Sequence, residues 1–226
     1  MIPLYVGYDP REGAAYHVFS QSVLNHATEP FCVIPLALPL LKGYTETHTD
    51  GSNAFIYSRF LVPHMQGYQG WAIFCDGDML CREDIAKLWA MRDESKAVMV
   101  VKHNYSSKHN TKYIGTGLET INASYPRKNW SSVMLWNCGH PSNQVLTPEY
   151  VMAATGRKLH RFEHLKDEEI GELPIEWNWL AVEFEPNPDA KLVHYTLGVP
   201  SMPHYKESDH ADEWFQTVDQ VLHIDS

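Results

Sequence analysis

A chain of 226 residues, 44% hydrophobic and 12% aromatic, is long enough to bury a sizeable core in one large domain. Its 18 Lys and Arg against 28 Asp and Glu leave a formal charge of −10, which argues against nucleic acid as a partner, because that demands a basic face. The same charge disfavours an anionic substrate unless a bound cation reverses the field locally. The opening Met1-Ile2-Pro3-Leu4-Tyr5 has no basic segment followed by an apolar run, and no stretch reaches the ~18 apolar residues of a membrane span. The four cysteines (Cys32, Cys75, Cys81, Cys138) form no C-x-x-C pair. A cytoplasmic protein with reduced thiols and no membrane span is expected, in which the N-x-S/T strings at Asn104, Asn122 and Asn129 carry no meaning.

In chain order, Leu4-Tyr5-Val6-Gly7 reads as a short buried strand ending at the Asp9-Pro10 turn signal. Ala15, Val18, Phe19, Ser22 and Val23 recur at helical spacing, and Phe31-Cys32-Val33-Ile34-Pro35 gives a second strand. Strand, helix, strand at this pitch predicts a βαβ unit with a parallel sheet. Residues 42–53 are loop-like, and a helix is predicted over 54–62 with Pro63 limiting it. Trp71-Ala72-Ile73-Phe74-Cys75 is a continuous apolar run of the kind that fills a central strand buried on both faces. A short helix capped by Glu83 and Asp84 follows, then a buried strand over 97–102.

Residues 103–128 are polar without sustained periodicity: a lid, an acceptor surface or an ordinary long loop. Further strands are predicted over 132–136 and 191–195, and helices over 148–154 and 211–223, the last docked by Trp214, Phe215, Val218, Val221 and Leu222. Trp130, Trp136, Trp177 and Trp179 serve either sugar stacking or, more commonly, core packing. The pattern is α/β: a single domain over 1–226, with a mostly parallel central sheet flanked by helices.

Asp76-Gly77-Asp78 follows the most buried strand signal directly, and open α/β sheets bind ligands outside the carboxyl ends of their strands. Two carboxylates that converge around a glycine suit Mg²⁺ or Mn²⁺, which can neutralise a diphosphate. A plain D-G turn is the alternative, which the position after a central strand disfavours. His194 ends a late apolar strand and leads into Thr196-Leu197-Gly198-Val199-Pro200; it is either a satisfied core histidine or a further metal ligand.

In order and spacing, Tyr5-Val6-Gly7-Tyr8-Asp9, Tyr57-Ser58-Arg59-Phe60, Phe74-Cys75-Asp76-Gly77-Asp78-Met79-Leu80 and His194-Tyr195-Thr196-Leu197-Gly198 resemble family 8 glycosyltransferases of the glycogenin and lipopolysaccharide-galactosyltransferase type. The resemblance implies a GT-A fold and transfer of a hexose from a nucleotide diphosphate sugar, with UDP as the expected carrier, to an unknown carbohydrate or other hydroxyl acceptor with retention. It implies Mn²⁺, with Mg²⁺ as substitute, on Asp76, Asp78 and His194, with Asp76 also near the donor ribose. Tyr8 and Asp9 would hold the base, Arg59 would reach the donor phosphate or sugar, and Gly198 would let the backbone approach the diphosphate. A surface or intrahelical salt bridge is the alternative for Arg59. Residues 1–102 form the nucleotide-binding half and 103–226 the half that completes the metal site and meets the acceptor.

Three departures stand out. Trp130-Ser131-Ser132 replaces the family's N-A-G stretch, with Ser131 and Ser132 either contacting the sugar or only turning the backbone. The D-Q-x-x-L-N motif is missing; Asp167 or Glu168 is expected near the sugar in its place, the alternative being a solvated acidic helix end. The lysine that follows the histidine–glycine loop is absent, and Lys206 is the nearest substitute. A metal-dependent nucleotidyltransferase or phosphohydrolase uses similar carboxylates, and a nucleotide-sugar binding protein without catalysis would also retain them.

Overall fold

The computed structural model describes residues 1–223. Strand β1 (Ile2–Gly7) leads through a 3₁₀ turn at Pro10–Glu12 into helix α1 (Gly13–His26), and the chain returns as β2 (Phe31–Leu36), parallel to β1 with Ile2 opposite Phe31. The buried face of α1 is Ala15, Val18, Phe19, Ser22 and Val23, the set its spacing predicts. The helix expected over 54–62 is shorter and later: a 3₁₀ turn at Ser58–Leu61 runs into a one-turn helix α2 (Val62–Met65). Pro63 lies in the first turn of α2 and does not end it, because a missing N–H costs nothing where the helix has no acceptor for one.

Strand β3 (Trp71–Cys75) is buried throughout, and after the Asp76-Gly77-Asp78 break the chain resumes as β4 (Met79–Cys81). Asp84 caps α3 (Ile85–Trp89) by accepting from the Ala86 N–H, and β5 (Val98–Val100) follows. Within residues 103–128 a small hairpin forms from β6 (Thr111–Lys112) and β7 (Thr120–Ile121). Then come β8 (Val133–Asn137), α4 (Pro148–Ala153), α5 (Gly156–His160), β9 (Ile170–Glu172), β10 (Trp179–Leu180), β11 (Leu192–His194) and α6 (Ala211–Leu222).

The main sheet has the order β2-β1-β3-β8-β5-β9, and β8 alone runs against its neighbours. Strands from both halves of the sequence therefore share one sheet. Alternate residues of β3 feed two cores: Ala72 and Phe74 pack with Phe60, Trp136 and Phe162, whereas Ile73 and Cys75 pack with Phe19, Ile85 and Leu135. A second sheet, β10-β11-β4, pairs β11 antiparallel to β4 with His194 opposite Met79, and this register carries the histidine to the end of β3.

Helix α6 docks through Ala211, Trp214 and Thr217, with Val218 half-buried. Phe215 and Leu222, expected to dock, are 37% and 59% exposed because they fall off the stripe set by that spacing. Trp136 and Trp177 are fully buried, so they pack the core. All four cysteines are free, three of them buried. Among the described residues no helix is long and apolar enough to cross a membrane.

Candidate active site

The Asp-Gly-Asp segment is built by close packing at the carboxyl ends of β1 and β3. A Cβ on Gly77 would lie 2.4 Å from the Gly7 carbonyl oxygen, so only glycine lets the two strand ends approach this closely. The Asp76 N–H donates to the Ser132 carbonyl at the start of β8, and the Asp78 carbonyl accepts from Tyr195 N–H just after β11. These bonds fix both carboxylates inside one cavity, where Asp76, Asp78 and His194 are 6%, 7% and 1% exposed.

One ligand atom from each of these residues lies within 4.8 Å of the others. His194 Nε2 is 3.4 Å from Asp78 Oδ1 and 3.7 Å from Asp76 Oδ2. The orientation of the ring follows from its neighbours. Asn178 Nδ2 donates to the Asn129 carbonyl at 3.0 Å, which turns Asn178 Oδ1 towards the histidine. His194 Nδ1 therefore donates to that oxygen, also at 3.0 Å, leaving Nε2 to face the carboxylates. Asp78 Oδ1 is buried and accepts no hydrogen bond, and Asp76 Oδ1 meets only the Arg59 guanidinium, 2.7 Å away and off the hydrogen-bond direction. Two buried carboxylate oxygens that accept no hydrogen bond, with an imidazole nitrogen turned towards them, fit a small divalent cation. Burial first, then repulsion from Asp78, pushes the Asp76 carboxyl up to about 6 against the pull of Arg59.

Arg59 is neither a surface nor an intrahelical ion-pair residue. It is 3% exposed, pairs with Asp76, and donates to the carbonyls of Ile56 (3.0 Å) and Ser131 (2.9 Å). Its guanidinium also lies over the rings of Phe55 and Phe74, at 5.2 and 5.1 Å. Ser131 and Ser132 line the same cavity, with Ser131 Oγ 2.8 Å from His160 Nδ1.

The remaining expected residues lie elsewhere. Asp9 is buried, but its carboxylate is taken up by Arg11 and the Ala54 N–H, so it holds the 52–54 segment that walls the cavity. Tyr8 packs edge-on against Tyr16, outside the cavity lining. At Gly198 (φ +153°) a Cβ would come 2.4 Å from the Tyr205 ring; this glycine makes room for a tyrosine. Lys206 is exposed and outside the cavity. Asp167 and Glu168 are also exposed, in a 3₁₀ turn that feeds the edge strand β9; Asp167 pairs with Arg127 at 2.5 Å, and neither lines the cavity.

The position beside Ser131 belongs to His160, at the end of α5. Burial, reinforced by Arg59, lowers this imidazole to about 3, so it is neutral at ordinary pH, and its Nε2 has no partner. Lys112, from the hairpin within the polar 103–128 stretch read as a lid, an acceptor surface or a long loop, lines the same cavity as the carboxylates. Ile56, Tyr125 and His160 are shared with an adjoining cleft of about 260 Å³ that also contains Tyr57, Asp50, Arg157 and Arg161.

With this geometry in place, the comparison with known proteins is decisive: the sequence model of Glycosyl transferase family 8 matches residues 17–139, just over half of the chain and including both aspartates. The chain belongs to glycosyl transferase family 8. A family 8 assignment agrees with the solved structures it resembles in fold. The galactosyltransferase LgtC, solved with donor and acceptor sugar analogues, matches at TM-score 0.61 and 14% identity, over 97% of this chain and 96% of LgtC. The bifunctional glycosyltransferase WbbM matches at TM-score 0.66 and 12% identity over 96% of this chain, which spans only 49% of the WbbM chain. GlyE of Streptococcus pneumoniae matches at TM-score 0.63 and 10% identity, over 99% of this chain and 63% of GlyE. In sequence, this family 8 chain is 43% identical to Protein CDI of Arabidopsis thaliana, over 96% of this chain and 86% of that protein.

Proposed function

We propose that this family 8 chain is a Mn²⁺-dependent, retaining hexosyltransferase that uses a UDP-sugar as donor. The observation that carries this reading is the convergence of Asp76, Asp78 and His194 in one buried cavity at the carboxyl end of the central strand. Mg²⁺ is a second candidate for the same three donors. A divalent ion there supplies Lewis-acid neutralisation of the charge that grows on the departing diphosphate.

The chain's own residues account for the rest of the chemistry. Asn178 holds the His194 ring so that Nε2 stays turned to the site. Arg59 spends its hydrogen bonds on the Ile56 and Ser131 carbonyls and its charge on Asp76, which locks the first aspartate in place. Ser131 and His160 offer neutral polar groups to a sugar hydroxyl from the β8 and α5 side. In this reading residues 1–102 supply the nucleotide side and 103–226 complete the metal site, with the acceptor entering through the Tyr57–Tyr125 cleft.

Among the described residues, the only carboxylates lining the cavity are Asp76 and Asp78. That supports same-face attack by the acceptor, with the leaving phosphate taking its proton, over a double displacement through a protein carboxylate. It equally favours a second reading, a nucleotide-sugar binding protein with little turnover.

Incubating the protein with UDP-glucose, UDP-galactose and UDP-N-acetylglucosamine plus Mn²⁺ for a day separates these readings. Release of UDP with free or transferred sugar is expected. UMP with sugar phosphate would mean attack on phosphorus and a nucleotidyltransferase or phosphohydrolase; binding without any products would mean the binding protein.

A further inference from the structure

The cavity has two cations in its wall, and only one of them is committed. Arg59 is fully engaged with Asp76 and two backbone carbonyls. Lys112 has three N–H donors, and its one hydrogen bond is to Thr196 Oγ1, at 3.2 Å. Among the described residues no carboxylate comes within ion-pair distance of its ammonium, although Asp78, Asp76, Glu12 and Glu183 all favour its charge from further off. Burial opposes that charge. Burial outweighs that field and holds the ammonium below the usual lysine range, and no single carboxylate quenches it, so an anion arriving in the cavity supplies the counter-charge the site lacks.

The mounting of Lys112 ties it to the metal-ligand loop. Lys112 pairs with Thr120 across the β6–β7 hairpin, and Asn122 N–H donates to the Asn110 carbonyl just beyond. The next residues bond to the loop that follows His194: Tyr113 N–H donates to the Leu197 carbonyl at 2.7 Å, and Ile114 N–H donates to Tyr205 Oη at 3.3 Å. Hairpin and loop therefore hold Lys112 and His194 in the lining of one cavity.

Charge balance then specifies the ligand. The side chains of Asp76 and Asp78 against Arg59 and Lys112 sum to zero, so a divalent ion on the two aspartates leaves the site doubly positive. A sugar nucleotide bears one negative charge on each of its two phosphates and matches that excess; the nucleoside diphosphate leaving group has more. We propose that Lys112 is the protein's direct cationic contact to the donor's diphosphate, supplied by the hairpin in place of any lysine after the His194 loop. This rests on the donor reading of the preceding section. Lys206, the candidate by sequence position, lies exposed outside the cavity.

Titration calorimetry with Mn²⁺, uridine and UDP on the full chain and on Lys112→Gln, Lys112→Arg and Lys206→Gln tests this. With Mn²⁺ present, Lys112→Gln is expected to weaken UDP binding by about ten- to hundredfold and to leave uridine within about twofold. Lys112→Arg recovers most of the loss, Lys206→Gln behaves as wild type, and Mn²⁺ alone binds Lys112→Gln no more weakly, since a like charge has been removed. Unchanged UDP affinity in Lys112→Gln, or an equal loss for uridine, overturns the assignment while the donor reading stands. Failure of the wild-type protein to bind UDP with Mn²⁺ overturns both.

Discussion

Asn178 shows how much of this site depends on residues that touch no substrate. Its amide is oriented by the Asn129 carbonyl and in turn orients His194, so Asn178→Ala frees the ring to turn Nε2 away. Mn²⁺ affinity measured by calorimetry is expected to fall about 10–100-fold, with the melting transition little changed. Asp78→Asn should abolish sugar transfer with the circular dichroism spectrum intact, because an amide oxygen carries no charge to hold the ion; turnover at the wild-type rate would place the chemistry elsewhere. Arg59 has a different role. In chelator, Arg59→Ala leaves Asp76 buried without a counter-charge, and a loss of about 3–5 kcal/mol in denaturant unfolding is expected.

At the scale of elements, the parts that could be read from sequence are those with a pattern. Helix α1 shows its buried face by spacing, and β3 shows its central position by five consecutive buried apolar residues. Asp76, Asp78 and His194 were legible because each ends or follows such a strand. Lys112 and His160 were not, because the hairpin and α5 are held by turns, caps and long-range hydrogen bonds, none of which leaves a period. The expectation for Asp167 and Glu168 rested on chain position alone. The alternative, a solvated acidic helix end, is closer to what is seen: the acidic run forms an exposed 3₁₀ turn at the sheet edge, and the short helix α5 comes nearer the cavity. The cavity itself is about 50 Å³, below the roughly 300 Å³ of a small-molecule pocket, and the 111–121 hairpin, which contributes Lys112 and Tyr113 to its wall, is expected to move outward to admit a donor. Hydrogen exchange should find these amides opening faster than those of β3, and slowing when UDP and Mn²⁺ are added together.

For the whole molecule, buried ionisable groups set the response to acid. Burial lowers His103 and His160 to about 3 and His164 to about 4, from an ordinary value near 6.5. Below pH 6.5 the unfolded chain takes up protons that the folded protein refuses at these positions, so their stabilisation is present above 6.5 and lost as pH falls to about 4 for His164 and about 3 for His103 and His160. Asp76 and Glu12 act oppositely: burial raises them to about 6 and about 8, so the folded state gains protons first and stability from them grows as pH falls. His164 isolates one contribution, since both its ring nitrogens are buried without partners. Between pH 6.5 and 5, His164→Leu should lose less stability than wild type, by up to about 1.4 kcal/mol per pH unit. Parallel stability–pH curves for the two proteins would show that this ring protonates as freely folded as unfolded.

The fold brings three distant points of an acidic chain to one cavity: the break after β3, the end of β11 and the β6–β7 hairpin. Anomalous diffraction at the manganese edge, from a crystal grown with Mn²⁺ and UDP, tests that most directly. A single peak about 2.0–2.3 Å from oxygens of Asp76 and Asp78 and from His194 Nε2, bridged to the diphosphate, is the predicted result. A nucleotide bound with no anomalous peak among these three side chains would contradict it.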